Sequence, residues 1–268
     1  MRRQLRQKRN LKKQKSRRSF RLLAIIIIST IFLIVVSLAL FIWKVMTLTR
    51  FIYVEKTDNG GAVVTVVDSK YNQIDQVTID EDIELNVSHG LGEYKLQSIW
   101  KLGEKEGYQG DLVAKTIVKN YGLPVYLWKN DNNSNLSLLQ KVFLKLYKLK
   151  LLRLNLSEYK AESTKLPLYV STGFSDNRIT EKLTTVEIED VSGNYKTTAD
   201  ISRVLNIMGA KITNYSRSES KDIDCLVNGK NIYATEEIAK VLDCLYDDKL
   251  ETESGVKIKI GKYFNQRF

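Results

Sequence analysis

The sequence predicts a mixed α/β protein, in which a single N-terminal transmembrane helix precedes two small α/β domains. Three observations support this prediction. The whole excess of positive charge lies in residues 1–21, residues 22–43 carry no charged side chain, and the remaining chain alternates between strand-like and helix-like hydrophobic patterns. Strands that alternate with helices along a chain are typical of layered α/β domains.

The distribution of charge narrows the class of protein. The chain holds 42 Lys and Arg against 31 Asp and Glu, a formal net charge of +11. Residues 1–21 contain eleven of the cations and no acid, so the remainder balances 31 cations with 31 acids. A nucleic-acid-binding domain instead spreads its basic residues over a folded face. We expect the basic tail to fix the topology and to contact anionic lipid, and sequence-specific binding of nucleic acid by the tail is the less favoured alternative.

Residues 22–43 form an uninterrupted apolar run without charge, proline or glycine. A helix of this length would be about 33 Å long, against a hydrocarbon core of about 30 Å. A cleaved signal peptide is the alternative, but its apolar region usually has only about 7–15 residues. By the positive-inside rule, the prediction is a plasma-membrane protein with one span, a cytoplasmic N-terminus and extracytoplasmic C-terminal domains.

The first predicted domain covers residues 44–178 and begins with a β-hairpin. A β-branched run at 62–67 and an alternating run at 74–85 flank a turn at 68–72. Such a pattern indicates two paired strands. Helical spacing over 112–121, ended by a glycine, and a short strand at 125–128 follow, and a loop is expected around 171–176.

An amphipathic helix is predicted over residues 136–154. One stripe of this helix is apolar, and Lys141, Lys145 and Lys148 lie together on another. These lysines belong either to a solvated face or to a face that binds an anionic membrane surface or a pyrophosphate-bearing lipid. They are therefore candidate ligand-binding residues.

The second predicted domain, at residues 183–265, is a two-layer βαββαβ unit. Its strands are expected at 185–190, 211–215, 223–227 and 256–260, and its helices at 197–208 and 235–245. Both helices place apolar residues at i, i+3, i+4 and i+7, which predicts that one face of each packs on the sheet.

Cys225 and Cys244 are the only two cysteines of the chain. In an exported chain, a single possible pair predicts a disulfide, which would stabilise the fold by about 3 kcal/mol. Two buried free thiols are the alternative. The sequence predicts no metal site, because structural zinc requires about four ligands and His89 is the only histidine.

The second domain resembles the LytR C-terminal domain of bacterial cell-envelope proteins. The resemblance is carried by the strand and turn Val186–Asn194, by Gly209 at the end of a helix, and by the closing segment Val256–Phe264. It covers residues 183–265 and implies an α/β domain of the bacterial envelope.

The segment before it is similar to the front of a LytR–CpsA–Psr catalytic domain, in a truncated form. The segments that carry this similarity are Val77–Leu85, Tyr94–Gly103 and Gly122–Tyr126. The resemblance implies an enzyme that transfers glycopolymers from a polyprenyl-pyrophosphate lipid to peptidoglycan. Such enzymes hold the pyrophosphate with arginines and a magnesium ion with acids.

The chain departs from this family where the anion would be held. Asp80, Glu81 and Asp82 stand where the family has Pro-Arg-Asp, so that glutamate replaces the expected arginine. Arg153 and Arg178 are isolated and do not replace the later arginine-rich block of the family. Because phosphoryl transfer depends on cations that stabilise the transition state, the activity should be largely lost.

We therefore expect a non-catalytic binding or scaffold protein of cell-wall assembly or maintenance, without a cofactor. Its expected partners are membrane lipid, peptidoglycan, lipid-linked glycans or other envelope proteins. The alternative is an active, magnesium-dependent phosphotransferase that uses Asp82 as its candidate catalytic residue, with Lys141, Lys145 and Lys148 as the cations.

Overall fold

The computed structural model describes residues 25–40, 50–149, 154–164, 166–219, 221–247 and 255–268. Residues 49–268 form one compact unit, and the helix at residues 25–40 belongs to a separate unit. The basic tail at 1–21 lies outside the described residues. The predicted division into domains at 44–178 and 183–265 stays a prediction.

The described part of the larger unit is a mixed α/β fold, as the sequence predicts. The first helix of the chain, α1, covers residues 25–40. The strands are β1 Arg50–Lys56, β2 Ala62–Asp68, β3 Gln73–Ile79, β4 Glu84–Val87, β5 Gly92–Lys95, β6 Leu127–Lys129, β7 Asn155–Ala161, β8 Thr185–Asp190, β9 Lys211–Arg217, β10 Cys225–Gly229, β11 Leu245–Tyr246 and β12 Val256–Ile260. The later helices are α2 Leu96–Lys105, α3 Asp111–Tyr121, α4 Leu138–Lys148, α5 Leu168–Gly173, α6 Asn177–Thr180, α7 Tyr195–Met208, α8 Ile232–Leu242 and α9 Lys262–Arg267.

The prediction of a membrane-spanning helix is wrong. Among the described residues, no helix combines the length and the apolar character that a membrane crossing requires. Helix α1 is described over residues 25–40. The ends of the predicted span, at 22–24 and 41–43, lie outside the described residues. The predicted localisation, a single-pass plasma-membrane protein with a cytoplasmic N-terminus and extracytoplasmic C-terminal domains, depends on this span and is therefore wrong as well.

The first sheet has the strand order β6-β1-β2-β3-β7. Strands β2 and β3 form the predicted hairpin, with Ala62 opposite Ile79 and Asp68 opposite Gln73. Helix α3 ends at Gly122, which has a φ of 76° and therefore adopts the left-handed conformation that favours glycine at this position. The edge strand β7 pairs in parallel with β3 and exposes most of its side chains.

The second sheet has the order β11-β10-β12-β8-β9, in which β8 pairs in parallel with both of its neighbours. Its elements follow the predicted βαββαβ pattern, with the two-residue strand β11 in addition. The edge strand β9 leaves almost all of its side chains exposed.

The two sheets share one apolar core, which contains residues from both, such as Val64, Ile79, Ile188 and Ile258. The disulfide between Cys225 and Cys244 is present, as predicted, and joins β10 to the end of α8.

Several elements differ from their predictions. The strand expected within 74–85 ends at Ile79, and the helix expected over 235–245 is α8, Ile232–Leu242. Helix α4 begins at Leu138, because Ser137 and Gln140 form a capping box there. The region expected to be a loop around 171–176 instead contains the end of α5, and α6 begins directly after it at Asn177. Pro167 precedes α5, which agrees with the restricted φ of proline at a helix start.

Candidate functional site

A groove of about 1240 Å³ runs along one side of α7 and is the candidate site, which we call the α7 groove. One wall is formed by α7, and the facing wall by the segment from Thr164 to Ser175, which includes α5. Tyr121, at the end of α3, and the last residues of β9 also line the groove.

Helix α7 separates the core from the groove. The side chain of Asn194 accepts a hydrogen bond from the Lys196 amide and caps the start of the helix, and Gly209 ends it with a φ of 90°. Ile201, Val204, Leu205 and Met208 are buried on one face. The adjacent face, with Ala199, Ser202, Arg203, Asn206 and Ile207, lines the groove.

Two hydrogen-bond donors in the lining have no partner among the described residues. They are the hydroxyl group of Tyr121 and the Nε of Arg203, and both atoms are buried. Burial, together with the charge of Asp80, raises the pKa of Tyr121 to about 12, so the hydroxyl keeps its proton at neutral pH. Buried polar groups are normally paired, and both atoms have almost no accessible surface, so a ligand that accepts hydrogen bonds would reach them only when neighbouring side chains of the lining move aside.

A terminal nitrogen of the Arg203 guanidinium group is held by neighbouring residues. One terminal nitrogen donates to the backbone carbonyl of Lys119 at 2.5 Å and lies 3.4 Å from Oδ1 of Asp200. Gly122 packs against the side chain, since a Cβ atom at this position would lie 2.9 Å from Cγ of Arg203. These contacts fix the guanidinium group while its Nε remains unpaired.

The end of the groove at β9 combines a cation with aromatic rings. The guanidinium carbon of Arg217 lies 5.1 Å from the ring centroid of Tyr195, a distance at which cations are attracted to the ring face. The hydroxyl groups of Tyr215 and Ser202 lie 3.0 Å apart. Leu168, on the facing wall, is 79% exposed and gives the groove an apolar surface.

Asp190 is an acid in the lining. Its Oδ1 accepts hydrogen bonds from the amide and hydroxyl groups of Ser192, and its Oδ2 accepts one from the Thr198 hydroxyl. Burial alone would raise the pKa of this carboxyl group. The hydrogen bonds from Ser192 and Thr198, and the charge of Arg217, outweigh burial and lower the pKa. Asp190 therefore stays ionised, with both oxygens already paired.

The structure does not bring the sequence-predicted site residues together in this groove. Asp82 is exposed and forms a 2.9 Å ion pair with Lys95. Lys141, Lys145 and Lys148 lie on the exposed side of α4, where Nζ of Lys148 is 3.6 Å from a carboxylate oxygen of Glu55. None of these four residues lines the groove. The roles that the sequence suggests for them stay predictions.

Sequence reasoning missed the residues that do line the groove. Tyr121 was expected only as part of a helical stripe, and Arg203 lies between the apolar residues Ile201 and Val204 without any motif. A pattern along α3 or α7 does not show that these two side chains line the same groove.

The described residues contain no group of three or more His, Cys, Asp or Glu placed to hold a metal ion. We therefore assign no metal ligand, and the magnesium that the phosphotransferase alternative would need stays a prediction.

No protein-family model matches the chain, and no curated protein matches it. Among solved structures, the chain is 15% identical to a fragment of Lmo1026 from Listeria monocytogenes, a candidate transcriptional factor, with a TM-score of 0.24. That match covers 32% of this chain and 33% of the Listeria chain, about a third of its length. A second match, to protein gbs0355 from Streptococcus agalactiae, is 10% identical with a TM-score of 0.24 and covers 78% of this chain and 93% of that one. Scores of this size carry no argument about fold or function.

Proposed function

We propose that the protein is a non-catalytic binding protein that holds an anionic amphiphile in the α7 groove. The apolar chain of the ligand would lie along the groove, and its phosphate-type head would meet Tyr121, Arg203 and Arg217. The observation that carries this proposal is the pair of buried, unpartnered donors, Tyr121 hydroxyl and Arg203 Nε, in the lining.

The size and lining of the groove support an apolar chain. A volume of about 1240 Å³ exceeds the roughly 300–1,000 Å³ that is usual for small-ligand sites. Leu166, Leu168, Ala199 and Ile207 supply apolar surface on both walls. Apolar surface that is buried by a ligand stabilises the complex by about 25 cal/mol for each Å².

The charge of the groove supports an anionic head. In the described part of the lining, Arg203 and Arg217 are the cations, and the only acid, Asp190, has both oxygens paired within the fold. Bonds from a guanidinium group to an anionic oxygen are stronger than those between neutral groups. An incoming phosphate that displaces the side chains covering the two orphaned donors would accept from both and remove their cost of burial.

Binding rather than group transfer agrees with the sequence. Glu81, where the resembled family has an arginine, donates no hydrogen bond to an anion and instead accepts one from Asn59 at 2.8 Å. The ligand class is that of the lipid-linked precursors expected for a relative of LytR–CpsA–Psr proteins, and a role in cell-wall assembly or maintenance is part of this proposal. Asp82 lies outside the groove lining, and no observation favours the phosphotransferase alternative.

Calorimetric titration of the full chain with three probes tests the proposal. Farnesyl pyrophosphate carries both the chain and the head, farnesol carries the chain alone, and inorganic pyrophosphate carries the head alone. We expect farnesyl pyrophosphate to bind more tightly than either part. Tyr121→Phe and Arg217→Gln should each weaken it about tenfold, because a hydrogen bond to a charged group contributes about 1.5–3 kcal/mol.

Tyr263→Phe is the matched control, since this tyrosine is half exposed on α9 and does not line the groove. The proposal is wrong if farnesyl pyrophosphate and farnesol bind equally, or if Tyr121→Phe and Tyr263→Phe have the same affinity.

A further inference from the structure

A second cleft lies on the other side of the segment that forms the facing wall of the α7 groove. Its volume is about 450 Å³, and strands β3 and β7 and helix α5 form its sides. Thr172 and Ser175 line both this cleft and the α7 groove. The remaining lining includes three tyrosines, Tyr71, Tyr159 and Tyr169, and we call it the tyrosine cleft.

Two of the tyrosine rings form a corner. The ring centroids of Tyr159 and Tyr169 are 6.0 Å apart, and the ring planes are at 88° to each other. Tyr169 is 70% exposed, so the corner can be reached from solvent. The face of an aromatic ring carries partial negative charge and attracts cations.

Tyr71 shows that a cation is already accommodated by a ring in this lining. The Nζ of Lys70 lies 5.1 Å from the centroid of Tyr71. The Tyr159–Tyr169 corner has no such cation among the described residues.

The charged lining residues give the cleft a negative character. Arg50 is the only cation that the described residues place in its lining, and this residue is paired with Asp68 at 3.3 Å and lies 4.0 Å from Asp176. The other two lining acids, Asp75 and Glu158, have no basic partner within 4.0 Å among the ion pairs of the described residues. Because side chains alternate along a strand, Asp75 faces the same side of the sheet as Tyr159, whereas Glu158 faces the other side. Among the described residues, the carboxylate of Asp75 therefore has no basic partner beside the aromatic corner.

The carboxylate of Asp75 is oriented rather than mobile. Both of its oxygens accept from Nε2 of Gln73 at 2.9 Å. Gly173 packs beside it, since a Cβ atom there would lie 3.0 Å from Oδ2 of Asp75. The absence of a side chain at this position leaves room beside the carboxylate.

We propose that the tyrosine cleft binds an organic ammonium cation, either a primary amine or a quaternary ammonium group. The cation would lie against the faces of Tyr159 and Tyr169, and the carboxylate of Asp75 would balance its charge. A neutral polar ligand such as a sugar could also stack on tyrosine, but it would leave the carboxylate of Asp75 without a counter-charge. The occupant thus has the opposite charge to the head group proposed for the α7 groove, and the site does not depend on that proposal.

The test uses choline and its uncharged carbon isostere, 3,3-dimethylbutan-1-ol, as probes of the full chain. Binding is followed by amide chemical shifts or calorimetry. We expect choline to bind and the isostere of the same shape to bind at least about tenfold more weakly. Tyr169→Leu should weaken choline about three- to fivefold, which corresponds to the usual contribution of a cation–π contact at an exposed site.

Asp75→Asn keeps the shape and the acceptor for Gln73 while it removes the charge. This variant should weaken choline and leave the isostere unchanged. Tyr263→Leu, on a half-exposed tyrosine outside the cleft, is the control and should bind like the unaltered chain. Equal binding of the two probes, no binding of choline, or tighter binding of a neutral hexose than of choline would overturn the proposal. Tyr121→Phe should not affect choline, so the two proposals can fail separately.

Discussion

Removal of the Tyr121 hydroxyl group should stabilise the folded chain when no ligand is bound. Tyr121 is 1% exposed, and its hydroxyl is buried without a partner among the described residues. A buried, unsatisfied polar group costs about 1–3 kcal/mol. Tyr121→Phe keeps the packed ring and removes only this group. We expect the free energy of unfolding to increase by about 1 kcal/mol, the lower end of that range.

The assay is equilibrium unfolding in urea, followed by fluorescence. With an m value of about 3 kcal/mol/M, an increase of about 1 kcal/mol raises the unfolding midpoint by about 0.3 M. Tyr233→Phe is the matched comparison, because the Tyr233 hydroxyl donates to Oδ2 of Asp176 at 2.6 Å. Loss of a hydrogen bond to a carboxylate should lower the free energy of unfolding by about 1.5–3 kcal/mol. The two variants therefore differ in sign.

A lower midpoint for Tyr121→Phe would refute the reasoning. It would mean that the hydroxyl has a bound water or another partner in the free protein, and the argument for a ligand acceptor in the α7 groove would lose its main support. The reasoning is supported if Tyr121→Phe raises the free energy of unfolding and weakens ligand binding by a similar free energy. The hydroxyl group would then be costly when it has no partner and favourable when a ligand accepts its hydrogen bond.

Three further predictions concern the fold. Reduction of the Cys225–Cys244 disulfide, whose cysteines are 19 residues apart in sequence, should lower the free energy of unfolding by about 3 kcal/mol. Urea unfolding with and without a thiol reductant measures this change, and an unchanged unfolding midpoint would contradict the prediction. Because hydrogen bonds outweigh burial and lower the pKa of Asp190, its stabilisation is present above the unfolded pKa of about 3.9 and is lost as the pH falls through the folded value. Asp190→Asn should therefore flatten the loss of stability below about pH 4 in acid titrations. Gly122→Ala should destabilise the chain by more than about 1 kcal/mol, because φ at this position is 76° and the new Cβ atom would contact the side chain of Arg203. Thermal unfolding measures this loss of stability.

Local patterns were sufficient for most elements of the second sheet. Strand β8 and helix α7 lie where alternation and the i, i+3, i+4, i+7 spacing place them, and Gly209 ends α7 as expected. These features depend on residues close in sequence. Strand β11 was missed because its two residues are too short to form a pattern.

Properties that depend on more than a local pattern were harder to predict. Hydropathy along residues 22–43 predicted a spanning helix, whereas no helix among the described residues meets the requirements for a span. The exposure of β9 is set by its place at the sheet edge, which its sequence does not reveal. The candidate site is likewise non-local, because Tyr121 and Arg203 are joined only by the packing of α3 against α7.

The α7 groove and the tyrosine cleft share one wall, the segment that contains α5. Each keeps its shape only if residues outside both of them hold this wall in place. Arg50 supplies this support from β1. Its guanidinium donates to the backbone carbonyl of Gly173 at 3.3 Å, pairs with Asp68 and lies 4.0 Å from Asp176. Because the carboxylate of Asp176 is also held by Tyr233 and Arg178, the segment that ends α5 is tied both to the first sheet and to helix α8. A charge that is buried and fully used in this way stabilises the wall and does not attract a ligand. This explains why a cleft lined by Arg50 can still be negative in character, while the neighbouring groove, whose Arg203 keeps an unpaired Nε, is suited to an anion.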